Sequence, residues 1–384
     1  MALDSLVPQD WDALQSGGAA DVAEHTIGAE DGPLAEMLTQ HRDWRIDVTA
    51  LHRSFVFVIG EAYTTLAPIS GESVGGKIFL PVFDLLARSI GEQRPLRQRQ
   101  TAPIVKMLHG GDDPGLPETP RSFAITAAGV RCRVQHIQGE RFHVRVTSRL
   151  IEYGELGLPS ATSAKLLGPL LGEGGLVIVC GNYGTGKTST MNAIIRERVR
   201  QNGGYALVMG NPIEYVYAGF HGTGAAPGYV EQVDLQGRNL AAELKASMRN
   251  FPAGSVSMLG FPELLGSEGV GEMLRAANRG SLVFCDMHAL NVEAAVMNVV
   301  AMGEQDGERY SRDLLANSLR MILHLRMTPA PSTKRGVGVT FNLQLISRLQ
   351  QAALADPSMP LGRAITSVIS SPTAGTRSPS HSGS

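Results

Sequence analysis

Short apolar runs alternate with amphipathic stretches through the middle of the chain. Residues 176–180, 205–209, 256–260 and 282–285 are mostly apolar, and glycine or polar residues bound most of them. Such runs suit strands buried on both faces of a parallel sheet. Between them, 188–200, 240–249 and 267–278 predict covering helices, so this part reads as an α/β domain. The preceding region has a different rhythm. Residues 55–59 read as a strand, and Val82, Phe83, Leu85, Leu86 and Ile90 recur at helical spacing. Residues 122–125, 130–136 and 142–146 form alternating, hairpin-like strands. With a short helix starting at 34–38, residues 34–150 predict a small α+β domain. Beyond 292, the stretches 292–302, 312–324 and 342–354 read as helical, with a loop at 329–338. Residues 1–33 are polar and glycine-dotted and read as a flexible lead-in. Residues 356–384, rich in Pro, Ser, Gly and Thr, are expected to be a disordered tail. The loop at 109–120 has nothing in its sequence to order it.

Composition narrows this only a little. A chain of 384 residues can build two cores. Its net charge of -2 supplies no general electrostatic attraction for nucleic acid. The basic residues are scattered, nowhere much denser than Arg94, Arg97 and Arg99, so a nucleic-acid-driven helicase is disfavoured. Cys132, Cys180 and Cys285 lack metal-ligand spacing and fit a reducing compartment. Neither a signal peptide nor an apolar run long enough to span a bilayer is visible. The expectation is a cytoplasmic protein, associated with the inner membrane only through partners.

The most specific chemistry lies directly after the 176–180 run. Gly181, Asn182, Tyr183, Gly184, Thr185, Gly186, Lys187 and Thr188 satisfy G-x-x-x-x-G-K-[ST], with a strand before and a helix after. Glycines let backbone N–H groups close around phosphate oxygens, and the helix start adds its unpaired amides, Ser189 included. Lys187 can reach the outer phosphates, and the Thr188 hydroxyl can hold Mg²⁺. Strands of a parallel sheet deliver their C-terminal ends to the ligand side. The polar groups at the three following strand ends are Glu214, Glu263, and Asp286 with His288. Arg131, Arg133, Arg141, Arg145 and Arg149 form either a solvated sheet face or a set of phosphate-reaching cations.

The loop, Asn211-Pro-Ile-Glu-Tyr-Val216, Arg249 to Pro252, and Ala277-Asn-Arg-Gly-Ser-Leu-Val-Phe284 leading to Met287-His288 together resemble the secretion and pilus ATPases. The resemblance covers roughly 120–330, including Arg131-x-Arg133-Val and Leu156-x-Leu-Pro159, and is strongest toward the type IVB secretion and conjugative transfer ATPases. It implies a RecA-like P-loop NTPase domain (151–355, with a helical C-terminal subdomain) preceded by a PAS-like α+β domain. It also implies a homo-hexamer using ATP and Mg²⁺, working with other secretion-system ATPases and inner-membrane platform proteins. Under it, Lys187, Glu214, Glu263 and His288 are the candidates for catalytic roles. Thr188 is the metal-side residue, and Arg131, Arg133 and Arg149 are arginines that reach nucleotide.

The departures from the family pattern lie in the acidic motifs. Gly210 and Asn211 stand where the family has an acidic pair, and Ala253 stands for an aspartate. Anchored on Gly260, the family's catalytic glutamate falls on Phe261. Counted back from 276–280, it falls on Glu263, which is preferred because the chemistry needs a carboxylate. Asp286 and Met287 replace a threonine pair. Asp286 either stands in for the missing acid or repels phosphate unless a metal lies between them. The leading function is an ATPase motor of a secretion or conjugation machine. The alternatives are a pilus-retraction motor and a nucleotide-binding structural subunit with little turnover.

Overall fold

The computed structural model describes residues 32–40, 43–47, 54–59, 64–69, 82, 84–91, 122–138, 141–147, 149–222, 227–235, 238–249, 257–264, 266–329 and 337–369. The loop expected at 109–120, nearly all of the lead-in and the end of the tail lie outside them. The chain divides into two compact units. One comprises 1–149 with 212–219, and the other comprises 150–211 with 220–384.

The first unit is built on β1 (Asp43–Asp47), β2 (Ser54–Ile59), β3 (Thr64–Ile69), β4 (Ser122–Ala127), β5 (Val130–Gln138) and β6 (Arg141–Val146), in the order β3-β2-β1-β6-β5-β4. All its described pairings are antiparallel. Alternation turns Phe142, Val144 and Val146 inward from β6 and leaves Arg141 and Arg145 exposed. The inward set meets Trp44, Phe123, Cys132 and Val134, and is joined by Leu38 of the helix Gly32–Gln40 and by Val82, Leu86 and Ile90. The β4–β5 turn is Ala128-Gly129, with both residues at positive φ (47° and 73°). A two-residue hairpin turn of the twist-matching kind needs that conformation, and alanine adopts it under strain.

In the second unit, β7 (Gly175–Gly181), β8 (Tyr205–Gly210), β9 (Gly219–His221), β10 (Gly228–Asp234), β11 (Ser257–Phe261), β12 (Leu282–His288), β13 (Leu319–Pro329) and β14 (Val337–Leu345) form one sheet. Its order is β14-β13-β7-β12-β11-β8-β10-β9. β7 is buried along its whole length and lies between β13 and β12, parallel to both. Leu176, Ile178 and Cys180 point into a core shared with Met273, Leu274, Val296, Val299 and Leu315 of the helices Val270–Asn278, Val292–Gln305 and Ser311–Ser318. On the opposite face, a Cβ at Gly260 would meet Ile195 Cδ1 at 2.8 Å, so the helix Lys187–Asn202 packs closely there. All three cysteines are buried free thiols, and burial pushes Cys132 and Cys180 up to about 12.

Two expectations for the C-terminal part are corrected. Of the stretches expected to be helical, 319–324 and 342–345 are instead strand, and with 325–329 and 337–341 they form an antiparallel hairpin, in register Met321↔Leu345 through Pro329↔Val337. Leu319, Met321, Leu323 and Leu325 alternate with Arg320, His324 and Arg326, and Val337, Val339, Phe341, Leu343 and Leu345 alternate with Gly or polar residues. That is a period of two, which the helical reading overlooked. The segment expected to open the disordered tail also contains structure. Residues Leu361–Ile369 are helical and bury Ala364 and Ile365 in the same core. Arg312 ties the approach to this helix by donating to the carbonyls of Leu354, Asp356 and Met359 at 2.6–2.8 Å.

Candidate functional site

The loop after β7 takes its path because glycine occupies three strained or crowded points. Gly184 and Gly186 sit at φ 75° and 82°. A Cβ at Gly181 would lie 2.4 Å from the Leu325 carbonyl oxygen. Gly186 is the N-cap of the helix Lys187–Asn202, whose first amides have no partner within the helix and face the loop. The Thr185 hydroxyl donates to the Asn182 carbonyl at 2.9 Å, bracing the loop from inside. The result is a ring of backbone donors at a helix N-terminus, the arrangement that binds phosphate.

Lys187 is 6% exposed. Its Nζ donates to the Asn182 carbonyl at 2.9 Å and lies 3.0 Å from His288 Nδ1. Burial lowers the lysine's pKa, while Asp286 and Glu263 oppose that shift. His288 ends β12 directly opposite Gly181 in register. Its pKa is lowered by burial and by Lys187, which disfavours a second positive charge beside the lysine. Tyr183 stacks on it with ring centres 3.7 Å apart.

The acids separate into different surroundings. Phe261 is 2% exposed and packs in the apolar core, so the end of β11 offers hydrocarbon, not a carboxylate. Two residues on, Glu263 has φ 60°, unusual for a side chain with a Cβ. Two bonds to β12 hold it there: Glu263 N–H donates to Asp286 Oδ1 at 3.0 Å, and Leu264 N–H donates to the Asp286 carbonyl at 2.8 Å. Asp286 is 1% exposed, and burial pushes its carboxyl up to about 7, with Thr188, the Glu263 N–H and Lys187 opposing the shift. Glu214 belongs to the first unit, where it pairs with Arg133 at 2.9 Å while Arg131 donates to the Ile213 carbonyl at 3.1 Å. Arg149, also of that unit, is exposed. Lys187, Thr188, Glu263, Asp286 and His288 therefore share one neighbourhood in the second unit, and Glu214, Arg131 and Arg133 share another in the first.

The second unit also contains a cavity of about 820 Å³ running from Asn182, Tyr183 and Thr185 to His324, Arg326 and Phe341 of the β13–β14 hairpin. Sequence reasoning missed these hairpin residues because it took His324 for the end of a helix and assigned no element to Arg326 and Phe341. The alternation described above was the available signal. Among the described residues no group of three or more His, Cys, Asp or Glu is placed to hold a metal by itself. Mg²⁺ does not need one, because it is bound through one or two protein groups plus phosphate oxygens and water. Thr188, with the orphaned Oδ2 of Asp286, suits that mode. No helix among the described residues is long and apolar enough to cross a membrane.

A mostly parallel sheet with its glycine loop, buried lysine and helix N-terminus at the C-terminal end of a central strand resembles the RecA-like P-loop α/β fold. Residues 116–365 match the family model described as "Type II/IV secretion system protein", and the chain belongs to that family. Among curated relatives it is 30% identical over 160 residues to the uncharacterized protein YggR of Escherichia coli, covering 41% of this chain and 46% of that one. It is 28% identical over 215 residues to the type IV pilus ATPase PilU of Pseudomonas aeruginosa, covering 56% and 54%. The chain thus spans about half the length of the curated relatives it matches. Among solved structures, the ATPase DotB of Legionella pneumophila superposes with a TM-score of 0.56 at 16% identity, covering 87% of this chain and 85% of that one. The pilus retraction motor PilT with bound ADP gives 0.56 at 19% identity, covering 87% and 88%. These two likenesses concern the fold.

Proposed function

We propose that this chain is an ATP-binding and ATP-hydrolysing motor subunit of a type IV secretion or conjugative transfer machine of the IVB kind. The observation that carries the reading is the convergence of Lys187, Thr188, Glu263 and His288 on one phosphate cradle. In this reading the loop from Gly181 to Thr188, with Ser189, holds the phosphates, and Lys187 neutralises the outer ones. Mg²⁺, bound at Thr188, would supply charge neutralisation across the phosphate chain. Glu263 positions the attacking water, and His288 moves from its contact with Lys187 to the outer phosphate. Arg131, Arg133 and Arg149 are assigned to nucleotide on the family resemblance. Glu214, paired with Arg133 in the first unit, keeps its catalytic assignment on the same resemblance. The PAS-like character of the first unit, a homo-hexameric ring, and partners among inner-membrane platform proteins and other secretion ATPases belong to the same proposal.

The test is phosphate release by the purified protein beside Lys187→Ala and Glu263→Gln. Loss of turnover in both supports the reading. Turnover that survives Glu263→Gln and disappears in Lys187→Ala would sink the assignment of Glu263. A second reading is favoured by Phe261 standing in the core: a nucleotide-binding structural subunit with little turnover. It predicts ATP binding without phosphate release. A pilus-retraction role uses the same site and is separated only by the machine with which the protein co-purifies.

A further inference from the structure

The carboxyl of Asp286 is the least explained group in the second unit. It is almost fully buried, and its Oδ2 has no hydrogen-bond partner. An ionisable oxygen in that position is costly to keep, so something about the site must make use of it. Its neighbours on β12, Cys285 and Met287, point into the apolar core, so Asp286 points to the other face of the sheet. There it meets the phosphate cradle. Thr188 and the Lys187 ammonium both lie close enough to favour its charged form. Oδ1 is already used in holding the Glu263 amide, so anchoring the turn after β11 accounts for one oxygen only.

The neighbouring strand makes the placement informative. A divalent ion on the phosphate chain needs an oxygen ligand or a water-orienting carboxylate besides Thr188. β11 ends in Phe261, whose side chain lies in the core. Asp286, one strand over, places a carboxylate oxygen beside the threonine hydroxyl. An anion there repels bare phosphate and becomes attractive once a cation lies between them.

We propose that Asp286 is the metal-side carboxylate of this cradle, holding together with Thr188 the divalent cation that accompanies a nucleoside di- or triphosphate. The inference rests on the nucleotide-binding reading above. It predicts that nucleotide affinity depends on the metal and that this dependence passes through Asp286.

The experiment titrates the full-length protein with a fluorescent ADP analogue, in Mg²⁺ and in EDTA. It also measures Mn²⁺ affinity by electron paramagnetic resonance with saturating ADP. Wild type should bind the analogue at least tenfold tighter with Mg²⁺ than in EDTA. Asp286→Asn should keep or improve the affinity in EDTA and lose the gain from Mg²⁺, with Mn²⁺ affinity at least tenfold weaker. Asp286→Thr should show the same loss, and it serves if the asparagine variant folds poorly. An Asp286→Asn protein that keeps the full gain from Mg²⁺ and unchanged Mn²⁺ affinity overturns the proposal while leaving nucleotide binding intact. Wild type that binds no nucleotide in either condition overturns the underlying reading as well.

Discussion

Asp286→Asn should make the protein more stable in the absence of nucleotide and metal, and the gain should grow with pH. Burial raises the Asp286 pKa from 3.8 to about 7, while an unfolded chain has the ordinary value. Between those values the folded state holds a proton that the unfolded state has released. The stability of the wild type therefore falls as pH rises from about 4 through 7, then levels off. Raising it from 3.8 to about 7 corresponds to about 4 kcal/mol, of which about 3 kcal/mol develops between pH 5 and pH 8. Asparagine has the same shape, can still accept from Glu263 N–H, and carries no charge. The assay is hydrogen exchange at the amides of β7 and β12, which reads opening of the second unit without assuming that both units unfold together. At pH 8 with EDTA, these amides should be several kcal/mol better protected in the variant, and the gap should narrow at pH 5. A gap of the same size at both pH values, or a variant less protected at pH 8, would refute the account of Asp286 as a buried charge under strain.

Three further outcomes are expected. Phe261→Glu, which places a carboxylate at one of the two aligned positions, should destabilise the second unit by about 3 kcal/mol or more in chemical denaturation and leave phosphate release no faster, because it buries an unpaired charge in the core. Ala128→Gly should stabilise the first unit by about 1 kcal/mol, read as a higher unfolding midpoint, since the turn holds φ at 47° there. Gly181→Ala should abolish binding of the fluorescent ADP analogue while the variant remains folded by circular dichroism, because its Cβ would press on the Leu325 carbonyl and displace the loop.

The phosphate loop was legible because its chemistry is contiguous. Eight consecutive residues, a strand before and a helix after suffice to define it. The rest of the site is assembled across strands, and which face a residue takes depends on register. Asp286 reads the same in the sequence whether it faces the apolar core or the cradle, and only the inward placement of Cys285 and Met287 decides it. Phe261 and Glu263 were a choice between two alignments, and the core contact of the phenylalanine is a matter of register that neither alignment contains. The first unit was readable from alternation, yet the partnership of Glu214 with Arg133 joins residues 81 positions apart that no local pattern connects. The β13–β14 hairpin was misread for a different reason. Ile322 adds an extra buried apolar residue to β13, which blurs the alternation into something close to a helical spacing.

The contacts of Lys187 have a consequence for how this protein measures its ligand. The ammonium is already engaged by the Asn182 carbonyl and His288, and Tyr183 lies over the imidazole. A phosphate group must take the lysine away from these internal partners, so the loop competes with its own ligand. Apparent affinity is then the intrinsic affinity multiplied by the fraction of molecules in which the lysine is released, and each 1.4 kcal/mol of internal contact weakens it about tenfold. Ligands that meet Lys187 alone, such as inorganic phosphate, bear that whole penalty. A nucleotide bears the same factor, but its added contacts with the loop amides and the helix start leave it bound at concentrations where phosphate is not, so the internal contacts set an affinity threshold that requires no lid.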